Sequence, residues 1–431
     1  MLDIKFIREN PEAVKKAIKD KGMDLDLGEF LRLDEKRRKL ITEVDQLRKE
    51  RNEAAENRDT ERGKEIKEKL HKLDNRLEEI EEHCKKMMLL VPNIPSADTP
   101  IGGEEANKVI TTWGKPPKFA FEVKDHVALG KALDVIDFER GAKVAGYRGY
   151  FLKNEAVLMQ AGLLRLAVKK MIGKGFTPMT TPVLVREFAL LGSGHFPVDR
   201  QEIYEVEEYA GKEREKKFLT GTAEPALLAY HADEVLSEKD LPVKLCGISS
   251  CYRREVGGYG KDTKGVFRVH EFIKVEQVVL SKNDLAVSEK LFEEMNQAAQ
   301  ELLQELELPY RVVQIASRDM GAGKYKMYDI ETWMPGRQAY GETHSNSNLT
   351  DWQARRLNIR YKDRSGKLHF VHTLNNTVIA SPRILIAILE NNQQADGSVK
   401  VPKILQEFVG KEVITPPSIP PLARRGKEVN H

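Results

Sequence analysis

The stretch Cys251-Tyr252-Arg253-Arg254-Glu255, followed after a glycine-rich segment by Val266-Phe267-Arg268-Val269-His270-Glu271-Phe272, decides how this chain is read. Its aromatic and β-branched residues flank Gly257, Gly258, Gly260 and Gly265, a pattern that predicts strand, loop, strand. A hairpin whose loop carries Lys261 and Lys264 can close over a triphosphate, and Arg253 offers a planar donor fork suited to phosphate or carboxylate oxygens. Taken alone, the same residues describe a surface hairpin with solvated charges equally well, so the flanking sequence has to decide.

Upstream, Gly221-Thr222-Ala223-Glu224 places a hydroxyl and a carboxylate two residues apart. A helix N-cap with an acidic first turn uses the same residues. Farther upstream, Glu155 to Met171 predicts a long amphipathic helix leading into Gly175-Phe176-Thr177-Pro178 and Pro182. Downstream, Phe267 to Leu280 and Tyr310 to Ile315 predict strands. The run Tyr340-Gly341-Glu342-Thr343-His344-Ser345-Asn346-Ser347-Asn348 leads into Asp351-Trp352-Gln353, and by itself could be a polar loop without a ligand. The last segment, His372 to Arg383, precedes an apolar helix over Ile384 to Leu389. Ser381 can cap that helix and Pro382 fits its first turn, so Arg383 stands at a helix N-terminus, an end that attracts anions.

The N-terminal segment has a different grammar. Asn10-Pro11-Glu12 predicts a helix start, with Val14 and Ile18 at helical spacing. From about Phe30 the chain is highly charged, with Leu33, Leu40, Val44, Leu47 and Ala54 in a 3-4 spacing. After the polar stretch Asn57 to Lys64, residues Ile66, Leu70, Leu73, Leu77, Ile80, Cys84 and Met87 keep a and d positions without a break. Two such helices joined by a short turn at Gly63 predict an antiparallel hairpin over about 30–90 whose surface stays mostly in water. Val91-Pro92-Asn93-Ile94-Pro95, with Pro100 and Gly102-Gly103 behind it, predicts a linker. The tail, with Pro416, Pro417, Pro420, Pro421 and Arg424-Arg425, predicts an exposed end.

Composition narrows the class without naming it. The 431 residues exceed one ordinary core, 32% of them are charged, and mean hydropathy is −0.49 with no apolar run near the roughly 20 residues a bilayer span needs. Met1 to Arg8 lacks the apolar centre of a secretory signal, so a cytoplasmic location is expected. Cys84, Cys246 and Cys251 show no CxxC spacing and are expected to be reduced thiols. A net charge of +3 is too mild to identify a polyanion partner.

With these segments in order, the chain resembles the class II aminoacyl-tRNA synthetases over nearly its whole length, and within them the seryl-tRNA synthetase family. Arg253-Arg254-Glu255 resembles the family's Arg-x-Glu motif, Phe267 to Glu276 its returning strand, and Thr222-Ala223-Glu224 the Thr-x-Glu loop of the seryl branch. The resemblance implies an α+β fold: an N-terminal tRNA-binding unit over 1–104 with its helical hairpin, a catalytic domain over 105–413 built on a mostly antiparallel sheet flanked by helices, and a tail over 414–431. It implies ATP and Mg²⁺ as substrate and metal, with seryl-adenylate as the intermediate and serine tRNA as the acceptor, selenocysteine tRNA being a second candidate. Arg253, Glu276 and Arg383 are the implied catalytic groups. Arg253 would bind the α-phosphate and the serine carboxylate, Glu255 the adenine amino group, Phe272 the adenine face and Arg383 the γ-phosphate. Arg254, Arg268, Val269, Thr343 and His344 would stand beside the nucleotide. Glu342 and Ser345 would hold Mg²⁺ and ATP, while Thr222, Ala223, Glu224, Glu276, Asn375 and Thr377 would line the serine pocket. His270 is read as a buried, satisfied histidine, not a base. The hairpin would grip the tRNA variable arm, with positive charge from Lys36 to Lys39 and Arg58 to Lys69, and the segment at Gly175 to Pro182 would form a homodimer interface. The chain departs from the usual bacterial pattern at Arg254, at Gly341, and at Asn376, Val378 and Pro382, where glycines are usual.

Overall fold

The computed structural model describes residues 1–207, 216–256 and 264–418. Four helices open the chain: α1 (Ile4–Glu9), α2 (Pro11–Asp20), α3 (Leu27–Glu56) and α4 (Thr60–Leu90). Asp26 and Asp59 cap α3 and α4, accepting from the amides of Glu29 and Arg62. Helices of 30 and 31 residues reach roughly 45 Å at 1.5 Å per residue. They fold back as an antiparallel hairpin whose seam buries Val44, Ala54, Ile66 and Leu70, with Leu47, Leu73 and Leu77 partly covered. The reversal falls at Asn57-Arg58-Asp59, where Arg58 takes φ +54, and not at Gly63, which lies inside α4. Asn10 precedes α2 but does not cap it; its side-chain amide donates to Phe6 O at 3.2 Å.

The root of the hairpin is not free. Leu2, Ile7, Val14, Ile18, Leu27, Phe30, Met87 and Val91 form one apolar cluster with Trp352 from the body. The expected linker is likewise buried: Val91 is fully covered, and Asn93 and Ser96 are 3% and 5% exposed. A proline-rich stretch read as an exposed connection is instead a seam, because its backbone groups find partners in the body.

The body is an eight-stranded sheet. Its strands are β1 (Lys108–Trp113), β2 (Thr177–Thr180), β3 (Val243–Tyr252), β4 (Glu271–Ser281), β5 (Tyr310–Gln314), β6 (Lys326–Met334), β7 (Ala339–Asn348) and β8 (His372–Ala380). The order is β1-β5-β6-β7-β8-β4-β3-β2, antiparallel throughout except for the last pair. Helices α5 (Asn154–Gly173), α7 (Leu285–Glu305) and α8 (Ser381–Asn391) share one apolar core with the sheet, while the short α6 (Glu224–Ala229) belongs to a second cluster. Strand β4 starts at Glu271, so Phe267 to His270 are loop and not strand as expected. Ala380, not Ser381, is the N-cap of α8; the Ser381 hydroxyl accepts from Gln160 at 2.9 Å. Ile414 is buried and pairs with Val399. Lys261, Gly257, Gly258 and Gly260 of the hairpin loop and the tail from residue 419, with Pro420, Pro421 and Arg424-Arg425, lie outside the described residues.

Candidate active site

Alternate residues of a strand point to one face, and on β4 those are Phe272, Lys274 and Glu276. On β8 the register would separate Thr377 from Ala380, which are three residues apart. A bulge at Val378, where Val275 faces Ile379 and Glu276 faces Thr377, returns both to the same side. A second bulge at Thr343 does the same for Glu342 and Ser345, since Ile330 faces His344 while Glu331 faces Glu342. The two irregularities turn polar side chains of three strands toward one hollow.

That hollow has two adjoining parts. The larger, about 260 Å³, is bordered by Thr222, Glu224, Glu276, Ser345, Asn375 and Thr377, with Arg253 and Glu342. The smaller is bordered by Glu255, Val269, Phe272, Thr343 and Arg383. Arg253, Lys274, Glu342 and Thr377 border both. Ala223, Arg254, Arg268 and His344 border neither. Ala223 is fully buried, Arg254 is exposed, and Arg268 Nη1 donates to Glu255 Oε2 at 3.1 Å. The buried His344 ring lies 2.9 Å from Thr343 Oγ1 and 3.0 Å from Val378 O, and burial lowers its pKa to about 4, so it is neutral.

Glu224 opens α6, as a capping reading would have it, yet its carboxylate is not spent on the helix end. Oε1 accepts from Gln353 Nε2 at 2.7 Å and from Asn375 Nδ2 at 2.8 Å. Burial raises its pKa, with the Gln353 bond working the other way. Glu276 is 2% exposed and ion-paired with Lys274. Burial and the nearby Glu224 push its pKa up, and the Lys274 ammonium opposes them. Two buried carboxylates, Glu276 paired with Lys274 and Glu224 held by neutral amides, face one small cavity and favour another cation there.

The nucleotide side is cationic. Arg253 Nε donates to Gly221 O at 3.3 Å, and its guanidinium lies 5.4 Å from the Phe272 ring centre. Arg383 Nη1 donates to Glu342 O at 2.8 Å and to Glu342 Oε2 at 3.1 Å, and Nε donates to Phe267 O at 3.2 Å. Burial opposes the charge of Glu342, but Arg383 and Arg253 outweigh it and hold its pKa below the ordinary range. The neighbouring Asp329 shows the reverse: burial and Glu342 drive its pKa well up. Its Oδ1 is buried with no hydrogen-bond partner among the described residues. His270 Nδ1 lies 3.0 Å from Arg253 O, which satisfies the ring as expected, but the residue is half-buried and not buried.

Of the departures from the usual pattern, Pro382 borders the nucleotide part of the hollow, while Asn376 and Val378 point away from it. Asn376 Nδ2 donates to Gln277 Oε1 and Met295 O at 2.9 Å each, and Val378 is fully buried. A side chain at Gly341 would press on Met334 and Phe267 at 3.0 Å, so Gly341 makes room for the ring that Arg383 covers.

Several site residues escaped the sequence reading. Lys274 could have been found by its alternation with Phe272 and Glu276. Gln353 could not, because its role comes from α6 lying against the segment after β7; it bridges Glu224, Ser193 O at 2.8 Å and Thr373 Oγ1 at 2.6 Å. Lys324 and His195, both on loops bordering the larger cavity, carried no local signal.

Comparison with known proteins agrees with this geometry. Residues 1–95 match the seryl-tRNA synthetase N-terminal domain, and residues 204–392 match the tRNA synthetase class II core domain (G, H, P, S and T). The chain is 46% identical to a serine–tRNA ligase of Deinococcus radiodurans over 429 residues, covering 97% of this chain and all of that one. The crystal structure of seryl-tRNA synthetase from Pyrococcus horikoshii complexed with ATP superposes with a TM-score of 0.87 at 40% identity, over 96% of this chain and all of that one. A cytoplasmic serine–tRNA ligase from Naegleria fowleri in complex with AMP gives 0.86 at 31% identity, over 96% and 99%. A heptad hairpin, a bulged antiparallel sheet and a hollow divided between paired carboxylates and arginines thus coincide with full-length similarity, and the chain belongs to the seryl-tRNA synthetase family of class II aminoacyl-tRNA synthetases.

Proposed function

We propose that this chain activates L-serine with ATP and transfers the seryl group to the 3′ end of serine tRNA. The observation that carries the reading is that Arg253 and Glu342 border both parts of the hollow, where the amino-acid carboxylate and the α-phosphate must meet. A serine carboxylate oxygen attacks the α-phosphorus, pyrophosphate leaves, and a ribose hydroxyl of the terminal adenosine then displaces AMP from the acyl carbon. Both steps depend on positioning and charge neutralisation, without a protein nucleophile.

Glu276 and Glu224 receive the ammonium and hydroxyl of serine, with Thr222, Asn375 and Thr377 completing the walls. Lys274 opposes the burial that raises the Glu276 pKa, as the substrate ammonium would. Arg253 takes the α-phosphate, Phe272 the adenine face, Glu255 the adenine amino group, and Arg383 the γ-phosphate. Glu342 and Ser345 fit Mg²⁺, since they are oxygen donors beside a carboxylate, Asp329, that lacks a partner for one oxygen. When bound, the ion would neutralise phosphate charge.

Exchange between ATP and pyrophosphate, measured with a panel of amino acids, tests the assignment. Serine should support exchange in the presence of magnesium, and alanine should be roughly 10⁴-fold poorer because it leaves the buried partner of the missing hydroxyl unpaired. Equal rates with alanine or threonine would overturn the pocket assignment.

The assembly is read as a homodimer along α5 and β2. Val157, Leu158 and Ile172 of α5 are 45%, 45% and 53% exposed, and β2 ends the sheet with mostly exposed residues. Sedimentation of the full chain should give a mass near twice 49.0 kDa, and a monomer at micromolar concentration would refute it. The proposed division into 1–104, 105–413 and a tail assigns the hairpin to tRNA binding. The match of residues 1–95 to the seryl-tRNA synthetase N-terminal domain supports that assignment.

A further inference from the structure

Five consecutive backbone carbonyls in the loop before β6 accept hydrogen bonds from the N-terminal segment. Lys21 Nζ donates to Gly321 O at 3.1 Å, Ala322 O at 2.9 Å and Lys324 O at 2.6 Å. Asn93 donates from its amide to Ala322 O at 2.9 Å and from Nδ2 to Gly323 O at 3.1 Å. The Ser96 amide donates to Tyr325 O at 2.8 Å. Lys21 is 6% exposed, which is unusual for a lysine with no carboxylate partner among its hydrogen bonds. Gly321, Ala322, Gly323 and Lys324 border the larger cavity and none of them borders the nucleotide pocket.

Dry carbonyls left without donors would not hold this shape, and two glycines in four residues give the loop little stiffness of its own. A surface lysine would be expected at the end of a helix, where the carbonyls of its own last turn attract it. Lys21 instead turns into the body and spends all three protons on a segment some 300 residues away. We infer that Lys21 and Asn93 are positioning residues for serine activation: they shape the 321–324 wall of the amino-acid cavity, so the N-terminal unit takes part in the first chemical step as well as in tRNA handling.

The inference rests on the serine-activation reading, and the wild-type exchange assay tests that reading separately. Lys21→Met keeps the apolar stem and removes the donors. It should raise KM for serine roughly 10-fold or more, by misplacing a wall remote from the substitution, while KM for ATP stays within about twofold. A merely structural loss would lower the amount of active enzyme or move both constants together. A folded Lys21→Met enzyme with an unchanged KM for serine, or with equal rises in both constants, would overturn the inference. If Lys21→Met does not accumulate as folded protein, Asn93→Asp decides by the same split, since it retains size and loses the Nδ2 donations to Gly323 O, Leu349 O and Thr350 Oγ1.

Discussion

Replacing Arg253 by alanine is expected to lower serine-dependent ATP–pyrophosphate exchange by roughly 10³-fold, the scale on which charge-stabilising groups act in acyl and phosphoryl transfer. Arg253 stands where the two parts of the hollow meet, and Lys274, the other cation bordering both, is already committed to Glu276. The variant should stay folded. Among the described residues the guanidinium's one hydrogen bond to the protein is to Gly221 O at 3.3 Å, a long contact at the low end of the roughly 1.5–3 kcal/mol that a charged donor contributes. A melting curve close to wild type together with lost exchange is the expected result. Normal exchange would remove Arg253 from the mechanism.

The second large effect concerns the hairpin. Arg48 Nη2 and Asp74 Oδ1 lie 3.2 Å apart across it, so residues 49–73 can be excised and the two helices rejoined by a short turn. The root cluster on Trp352, the Lys21 clasp and both cavities lie outside the excised part. Serine activation should therefore be unchanged, while charging of serine tRNA should fall by roughly 10²–10³-fold, the order that several phosphate contacts contribute to a nucleic-acid complex. Aminoacylation at limiting tRNA measures it, and unimpaired charging would show that the hairpin does not hold the RNA.

The hairpin was legible because a heptad pattern states its own geometry: Val44, Ile66 and Leu70 are buried where a and d positions require. The charged groups were legible too, since Arg253, Glu276, Glu342 and Arg383 stand in segments whose order and spacing resemble a known family. Their convergence was not. Glu342 and Ser345 are three apart and would face opposite sides of a regular strand, and only the unpaired Thr343 reconciles them. No local pattern announces such a bulge, because it is fixed by the partner strand. The stretch from Val91 to Ser96 misled for the opposite reason. Prolines signal the end of a helix but say nothing about burial, and here the partners of those backbone groups lie more than 200 residues away.

The five clasped carbonyls bear on how the two halves of the enzyme can be recombined. A foreign hairpin exchanged at residue 104 would take away the groups that shape the amino-acid wall, and the recipient body would inherit a slack pocket. The workable splice points sit higher, within α3 and α4 above the root, where the graft changes the reach toward RNA and leaves the chemistry with its own scaffold.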